Sequence, residues 1–324
     1  MHRLVFKTLA FGLLFFLALP ASPSPGQTWP QRTVKFIVPF GPGAGADIGA
    51  RMVAERLTMQ WGKPVVVENR PGADGLVAAA AFVSAADDHT LLFGPAGSYT
   101  VHPYLHDKIP YDFDRDFLPI ARVSNTILAL GVPASANIAA LKDFVAHARS
   151  NPGRLNAALV PGITEFVFDG FANSAGLSFT KVPYRDIVQA ATDLGEGRVD
   201  VMMSSYAILQ PQSQAGRIKV LAVTSHERVS FAPDIPTAVE AGFPALEVDG
   251  LVGVFGPAGM PLALRARIGA DVKTIAGDPA IAARLSATAQ APNPGGPEEL
   301  AASVKQQRDK ITTIAQSLGI KPRQ

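Results

Sequence analysis

The sequence predicts an α/β protein of two domains, each a parallel or mixed sheet flanked by helices. Three observations carry that expectation. The chain has 324 residues, more than one typical domain. Short β-rich runs alternate with stretches of helical periodicity, the pattern of βαβ units. The alternation also restarts from Asn125. Apolar residues are 48% of the chain and charged residues 17%, which suits packed cores and not a disordered chain.

In chain order, Thr33–Phe40 reads as a strand that ends in a glycine-rich loop. A helix follows over Asp47–Trp61, with Ile48, Met52, Val53 and Leu57 at helical spacing. Lys63–Glu68 reads as a second strand, closed by the turn Arg70-Pro71-Gly72. Leu76–Ala86 is alanine-rich and helical, and Thr90–Phe93 is a third strand before a second glycine loop. The second unit begins with a strand over Asn125–Val132 and an amphipathic helix over Ala139–Ser150. It continues with Asn156–Val160 (strand), Phe166–Ala175 (helix), Phe179–Pro183 (strand) and Ile187–Gly195 (helix). Val199–Met203, Lys219–Thr224 and Leu251–Phe255 read as further strands. The rest is helical: Pro261–Ala276, Asp278–Ala287 and Pro297–Leu318. The last of these has Pro297 at its first turn and Glu298 and Glu299 at the positive end of its dipole.

The first 26 residues read as an export signal that is removed. Arg3 and Lys7 form a positive start, Leu9–Leu19 is an apolar run too short to span a bilayer, and small residues and prolines follow from Ala21 to Gly26. Losing that segment removes two bases and no acids, which leaves equal numbers of each. Such a neutral chain has no electrostatic attraction for nucleic acid or an anionic membrane. Cysteine is absent, so there is no disulfide framework and no thiol for a lipid anchor.

The loop Gly41-Pro42-Gly43-Ala44-Gly45-Ala46-Asp47 is the strongest candidate for chemistry. Its glycines permit positive φ and a close backbone approach, and the following helix offers free N–H groups to an anion. The alternative is a tight strand-to-helix turn with Asp47 as helix cap. A dinucleotide fingerprint is not met. The glycines fall at the first, third and fifth positions, the sixth position is Ala46, and Glu68 alone sits near the place for a ribose-binding acid. His102 and His106 have helical ligand spacing, but Pro103 lies between them, and they read as surface residues near a turn. There is no nucleophile elbow and no thiolate site, so the expectation is no enzyme, no metal and no cofactor.

From Trp29 to the C-terminus the chain resembles the Bug family, the extracytoplasmic solute receptors of tripartite tricarboxylate transporters. The resemblance rests on VPFGPGAGADIGAR (Val38–Arg51), PVVVENRPGADG (Pro64–Gly75), HTLLFG (His89–Gly94) and IPYDFDRDFLPI (Ile109–Ile120). VPYR (Val182–Arg185), GRVDVM (Gly197–Met202), AGRIKVLAVTS (Ala215–Ser225), PDIPTAVEAG (Pro233–Gly242) and GPAGMP (Gly256–Pro261) follow in order. It implies a two-domain periplasmic binding protein fold with a cleft between the domains. Residues 27–126 with 248–324 would form the first domain, and 127–247 the second. It also implies a monomer in the periplasm that is not a lipoprotein, carries a small carboxylate to integral membrane permease subunits, and catalyses nothing. A ligand-sensing protein that hands its ligand to a signalling partner is the alternative, and an α/β enzyme the third.

By position, the family's ligand contacts fall on Phe40, Gly43, Ala44, Gly45 and Asp47, and on Ala96, Gly97 and Ser98. In the second domain they fall on Gly162, Thr164, Tyr184, Arg185, Ser204 and Ser205. Two stretches depart from the family pattern. Leu159–Phe166 is bulkier than the usual small-residue loop and lacks its histidine, and Asp186-Ile187-Val188 stands where glycines usually follow the basic residue. Repulsion from Asp47 and Asp186 then disfavours a triply charged ligand. The expected ligand is a monocarboxylate, or a dicarboxylate with an amino or apolar portion.

Overall fold

The computed structural model describes residues 29–323; the export signal expected over residues 1–26 lies outside them. The first segment alternates β1 (Val34–Val38), α1 (Gly45–Trp61), β2 (Val65–Asn69), α2 (Leu76–Ala85), β3 (Thr90–Pro95) and α3 (Ala96–Leu105). A short turn of helix, α4 (Phe113–Asp116), leads to β4 (Leu118–Thr126). The next segment comprises β5 (Leu128–Pro133), α5 (Leu141–Ser150), β6 (Asn156–Leu159), α6 (Ile163–Ala175), β7 (Thr180–Pro183) and α7 (Ile187–Gly195). It closes with β8 (Val201–Ser205), α8 (Tyr206–Gln214) and β9 (Ile218–Val223). The chain ends with β10 (Gly250–Gly256), α9 (Leu262–Ala276), α10 (Pro279–Ala287), β11 (Gln290–Gly295) and α11 (Pro297–Ser317).

These strands form two mixed sheets, so the expected α/β two-domain fold holds. The first sheet runs β11-β4-β10-β3-β1-β2 and the second β7-β6-β8-β5-β9. Within the first, β1 is parallel to β2 and β3, while β10 is antiparallel to β3 and β4. Within the second, β6 is parallel to β7 and β8, while β5 is antiparallel to β8 and β9. The stretch expected as one strand over Asn125–Val132 is two strands. β4 ends at Thr126 in the first sheet and β5 starts at Leu128 in the second, with Ile127 buried between them. No glycine or proline marks the crossing at Ile127, so Asn125–Val132 reads as one continuous strand.

Both faces of each sheet are covered, which is why their strands read as continuous apolar runs. On the first sheet, Val34, Phe36 and Val38 face α1 and α9, while Ile37 and Leu92 face α2, α3 and α11. Full burial of one such side chain contributes about 1.5–3 kcal/mol. Two helices serve both domains. Leu300 and Val304 of α11 pack under the first sheet, whereas Ile311, Ile314 and Ala315 join the core that holds Phe166 and Phe171. In α3, Ala96 and Tyr99 belong to the first core and Val101 and Tyr104 to the second.

Among the elements that escaped sequence reading, three carry prolines. Helix α3 carries Pro103 inside it, and α8 carries Pro211. β11 has the sequence QAPNPG. In each case prolines argue locally for a turn, and tertiary packing overrides them. Among the described residues, no helix is long and apolar enough to cross a membrane.

Candidate functional site

The parallel strands place a set of helix N-termini at their carboxyl ends: β1 leads into α1, β3 into α3, β6 into α6, β7 into α7 and β8 into α8. Ligands in open α/β sheets bind at such ends.

Helix α1 begins two residues earlier than expected, at Gly45, with Ala44 as its cap. Asp47 is therefore not the cap. It lies inside the first turn, 1% exposed. Its carboxylate accepts from Gly43 N–H at 2.9 Å, Arg51 Nε at 3.0 Å and Asn69 Nδ2 at 2.7 Å. Burial pushes its pKa up, but Arg51, Asn69 and the Gly43 N–H outweigh that and hold it below the usual carboxylate range. Asn69 Nδ2 also donates to the Phe40 carbonyl at 2.8 Å, which fixes the far side of the loop. Of the glycines expected at positive φ in this loop, Gly43 alone has it, at 88°. Gly45 is helical, and its carbonyl accepts from Gln290 Nε2 while Ser124 Oγ donates to Gln290 Oε1.

The Gly43 and Ala44 amides are used inside the loop, on Asp47 and on the Gly41 carbonyl. Ile48 N–H donates to Ala44 O at 2.9 Å. The N–H groups of Gly45, Ala46 and Asp47 have no intrahelical acceptor, as at any helix start, and no other protein acceptor among the described residues. Three aligned donors and the helix dipole make an anion cradle. The Asp47 carboxylate is engaged inside the loop, and these amides are left without an acceptor.

Ala96, Gly97 and Ser98 form a second helix start, not the loop expected after the third strand. A Cβ on Gly97 would lie 2.5 Å from Ile163 Cδ1 at the start of α6. Gly162, at φ 131°, caps α6, and a Cβ there would meet the Asp74 carboxyl group at 3.0–3.1 Å. Ser98 Oγ donates to Asp74 Oδ1 at 3.2 Å. The structure thus brings Gly97, Ser98 and Gly162 together around Asp74, a residue that sequence reasoning missed. Thr164 stands in the first turn of α6.

Other candidates are engaged elsewhere. Tyr184 donates its hydroxyl to Asp193 Oδ2 at 2.7 Å; burial and that bond push its pKa up to about 12. Asp186 caps α7, accepting from Val188 N–H at 2.8 Å and Gln189 N–H at 3.3 Å. Asp47 is paired with Arg51, so the charge argument against a triply charged ligand does not stand on it; Asp186 accepts from backbone N–H groups only. Arg185 is exposed with no ion pair among the described residues. Ser205 caps α8 through its backbone alone, and Ser204 is fully buried with its Oγ unpartnered.

Of the two histidines read as surface residues, His102 is fully buried and His106 half-buried. His102 is 0% exposed, and His106 Nε2 is buried. His102 Nδ1 lies 2.6 Å from Tyr111 Oη and its Nε2 3.0 Å from the Asp74 carbonyl. Asp87, Asp88 and His89 also cluster. There His89 Nε2 accepts from Gln31 N–H, so Nδ1–H faces Asp88 Oδ1 at 2.6 Å, and hydrogen bonds account for the group. A separate cavity of about 150 Å³ lies where the chain recrosses, among Arg122, Asn125, Asp249, Asn293, Gln307 and Lys310.

Two sheet-based domains whose helix N-termini face one another define a protein of the binding-protein class. The chain belongs to the tripartite tricarboxylate transporter family of receptors (TctC), whose profile matches residues 49–320. A UPF0065 protein of Bordetella bronchiseptica is 31% identical over 311 residues, 96% of this chain and 92% of that protein. An R. palustris protein solved with adipate superimposes with a TM-score of 0.80 at 29% identity, covering 91% of this chain and all of that one (100%). MatC of Rhodopseudomonas palustris, solved with bound malate, gives 0.74 at 27% identity over 87% of this chain and 100% of that one. The chain is therefore similar to receptors of small carboxylates.

Proposed function

We propose that this chain is an exported receptor that holds a small carboxylate between its two domains and delivers it to membrane permease subunits. Residues 27–126 with 248–324 make the first domain, and 127–247 the second. The observation that carries the reading is the row of unused amides on Gly45, Ala46 and Asp47, fixed by Asp47 and Gln290. The facing amides of Ala96–Ser98, with Thr164, Arg185 and Ser205 on the other side, complete the contacts. Family membership and the carboxylate complexes of relatives support the same reading. The protein works as a monomer and binds rather than transforms its ligand.

Export follows from the first 26 residues. The intact mass of the protein recovered from the periplasm is expected to show cleavage between Ala21 and Gly26 and no lipid. Retention of Leu9–Leu19 in the recovered protein contradicts it.

The cradle itself is tested by Gly45→Val. A Cβ at Gly45 lies 3.4 Å from Gln290 Nε2, so the added methyl groups displace Gln290 and loosen the helix start. Titration calorimetry with adipate and malate is expected to show at least tenfold weaker binding, about 1.4 kcal/mol, in a variant that remains folded. Unchanged affinity removes the cradle from the site.

A further inference from the structure

Asp74 stands outside every lysine and arginine ion pair among the described residues. It sits in the turn Ala73-Asp74-Gly75 with φ at 51°, in the left-handed region that aspartate tolerates. Its side chain lies between the start of α3 and the cap of α6, where the proposed ligand contacts Ser98 and Gly162 meet. Oδ1 accepts from the Ser98 hydroxyl, and Oδ2 has no hydrogen-bond partner. His102 Nε2 is 3.4 Å from Oδ2, the one side-chain base close to it among the described residues. That ring is already committed. A carbonyl only accepts, so Nε2–H is donated to Asp74 O, and Nδ1 is hydrogen-bonded to the Tyr111 hydroxyl at 2.6 Å. No lysine or arginine among the described residues pairs with Asp74.

A carboxylate with no lysine or arginine partner, at a site that binds anions, is a selector. It repels a second carboxylate on the ligand and attracts a protonated nitrogen. We infer that Asp74 tunes this site for ligands that carry one carboxylate and one ammonium group, and against dicarboxylates. The carboxylate occupies the amide cradle, and the ammonium donates to Asp74. The inference rests on the carboxylate-receptor reading and adds the chemistry of the ligand's other end. It also supplies, through a different residue, the like-charge selection that Asp47, paired with Arg51, does not provide.

The test is calorimetric titration of the whole purified protein with length-matched pairs: glutarate against γ-aminobutyrate, and adipate against δ-aminovalerate. Pentanoate, which has no second charge, is the reference. The wild type is expected to bind at least one amino acid tenfold or more tightly than its matched diacid, with pentanoate between them. Asp74→Asn is expected to lose at least tenfold for that amino acid and none for the diacid. Asp74→Glu keeps the order of preference, and circular dichroism checks the fold of both variants. If the wild type prefers the diacids, or Asp74→Asn weakens all probes equally, Asp74 is not the selector although the receptor reading stands. The wild-type order decides the matter even where a variant fails to fold. Binding of none of the probes overturns the inference together with the carboxylate reading.

Discussion

Gly97→Val is expected to leave both domains folded and to reduce ligand affinity by at least tenfold. Gly97 belongs to the first turn of α3, and a Cβ on it would lie 2.5 Å from Ile163 Cδ1 and 3.5 Å from Gln307 Nε2. Real Cβ atoms do not come so close to a neighbour, so one side must give. The end of the Ile163 side chain can rotate away from a single methyl group, which makes Gly97→Ala the mild variant. Valine adds two branches beside a half-buried isoleucine and the buried Gln307. The space available is the separation between the two domains, so the strain is relieved by parting them. Parting takes Ser98 away from Gly162 and lowers the population able to close on ligand, which reduces apparent affinity in proportion. Calorimetry with the strongest carboxylate, alongside circular dichroism, reads the result. A folded Gly97→Val protein with unchanged affinity shows that the contact is irrelevant to binding.

Asp47→Ala is expected to cost about 2–4 kcal/mol of stability, because three donors lose a buried charged acceptor at once. Gly43 N–H and Asn69 Nδ2 are left without it, while the half-exposed Arg51 can return to water. The penalty depends on pH. The folded-state pKa of Asp47 is held below its ordinary value. Its contribution is therefore present above the unfolded pKa, near 3.9, and is lost as pH falls through the lower folded value. Urea denaturation of wild type and variant is expected to show the full gap at pH 7 and a shrinking gap below about pH 4. A gap under about 0.5 kcal/mol at pH 7 means that Asp47 does not organise the loop.

The candidate site was legible in part. The glycine loop and the buried runs around it are local signals, and the loop does lead into a helix N-terminus, that of α1. What they could not place was the role of each group. Asp47 looks like a helix cap or a ligand-facing acid, yet it faces inward because Arg51 and Asn69 reach it from one helical turn away and from the next strand. Gln290, which anchors Gly45, lies 245 positions away on a strand broken by prolines. No local pattern announces such a contact. Asp74 was hidden for a related reason. In RPGADG an aspartate reads as a turn former, and its unpaired state appears only when α6 is packed against it. His102 was misread because Pro103 argued for a turn, whereas the helix continues through it and buries the ring against Asp74 and Tyr111. The family resemblance supplied the order of motifs and the positions of the contacts. The departures at Leu159–Phe166 and Asp186–Val188 resolve into a shifted helix start and a helix cap.

The claim at the centre of this account is that a carboxylate sits on the α1 amides between the two domains. A crystal structure of the protein with the small acid that binds it most tightly tests this directly. The account predicts one ligand carboxylate oxygen within about 3 Å of the Gly45, Ala46 or Asp47 N–H groups, as a hydrogen bond requires. It also predicts the remainder of the ligand between Ser98 and the start of α6. A ligand found instead in the cavity beside Arg122 and Lys310, with the α1 amides facing only water, would contradict it.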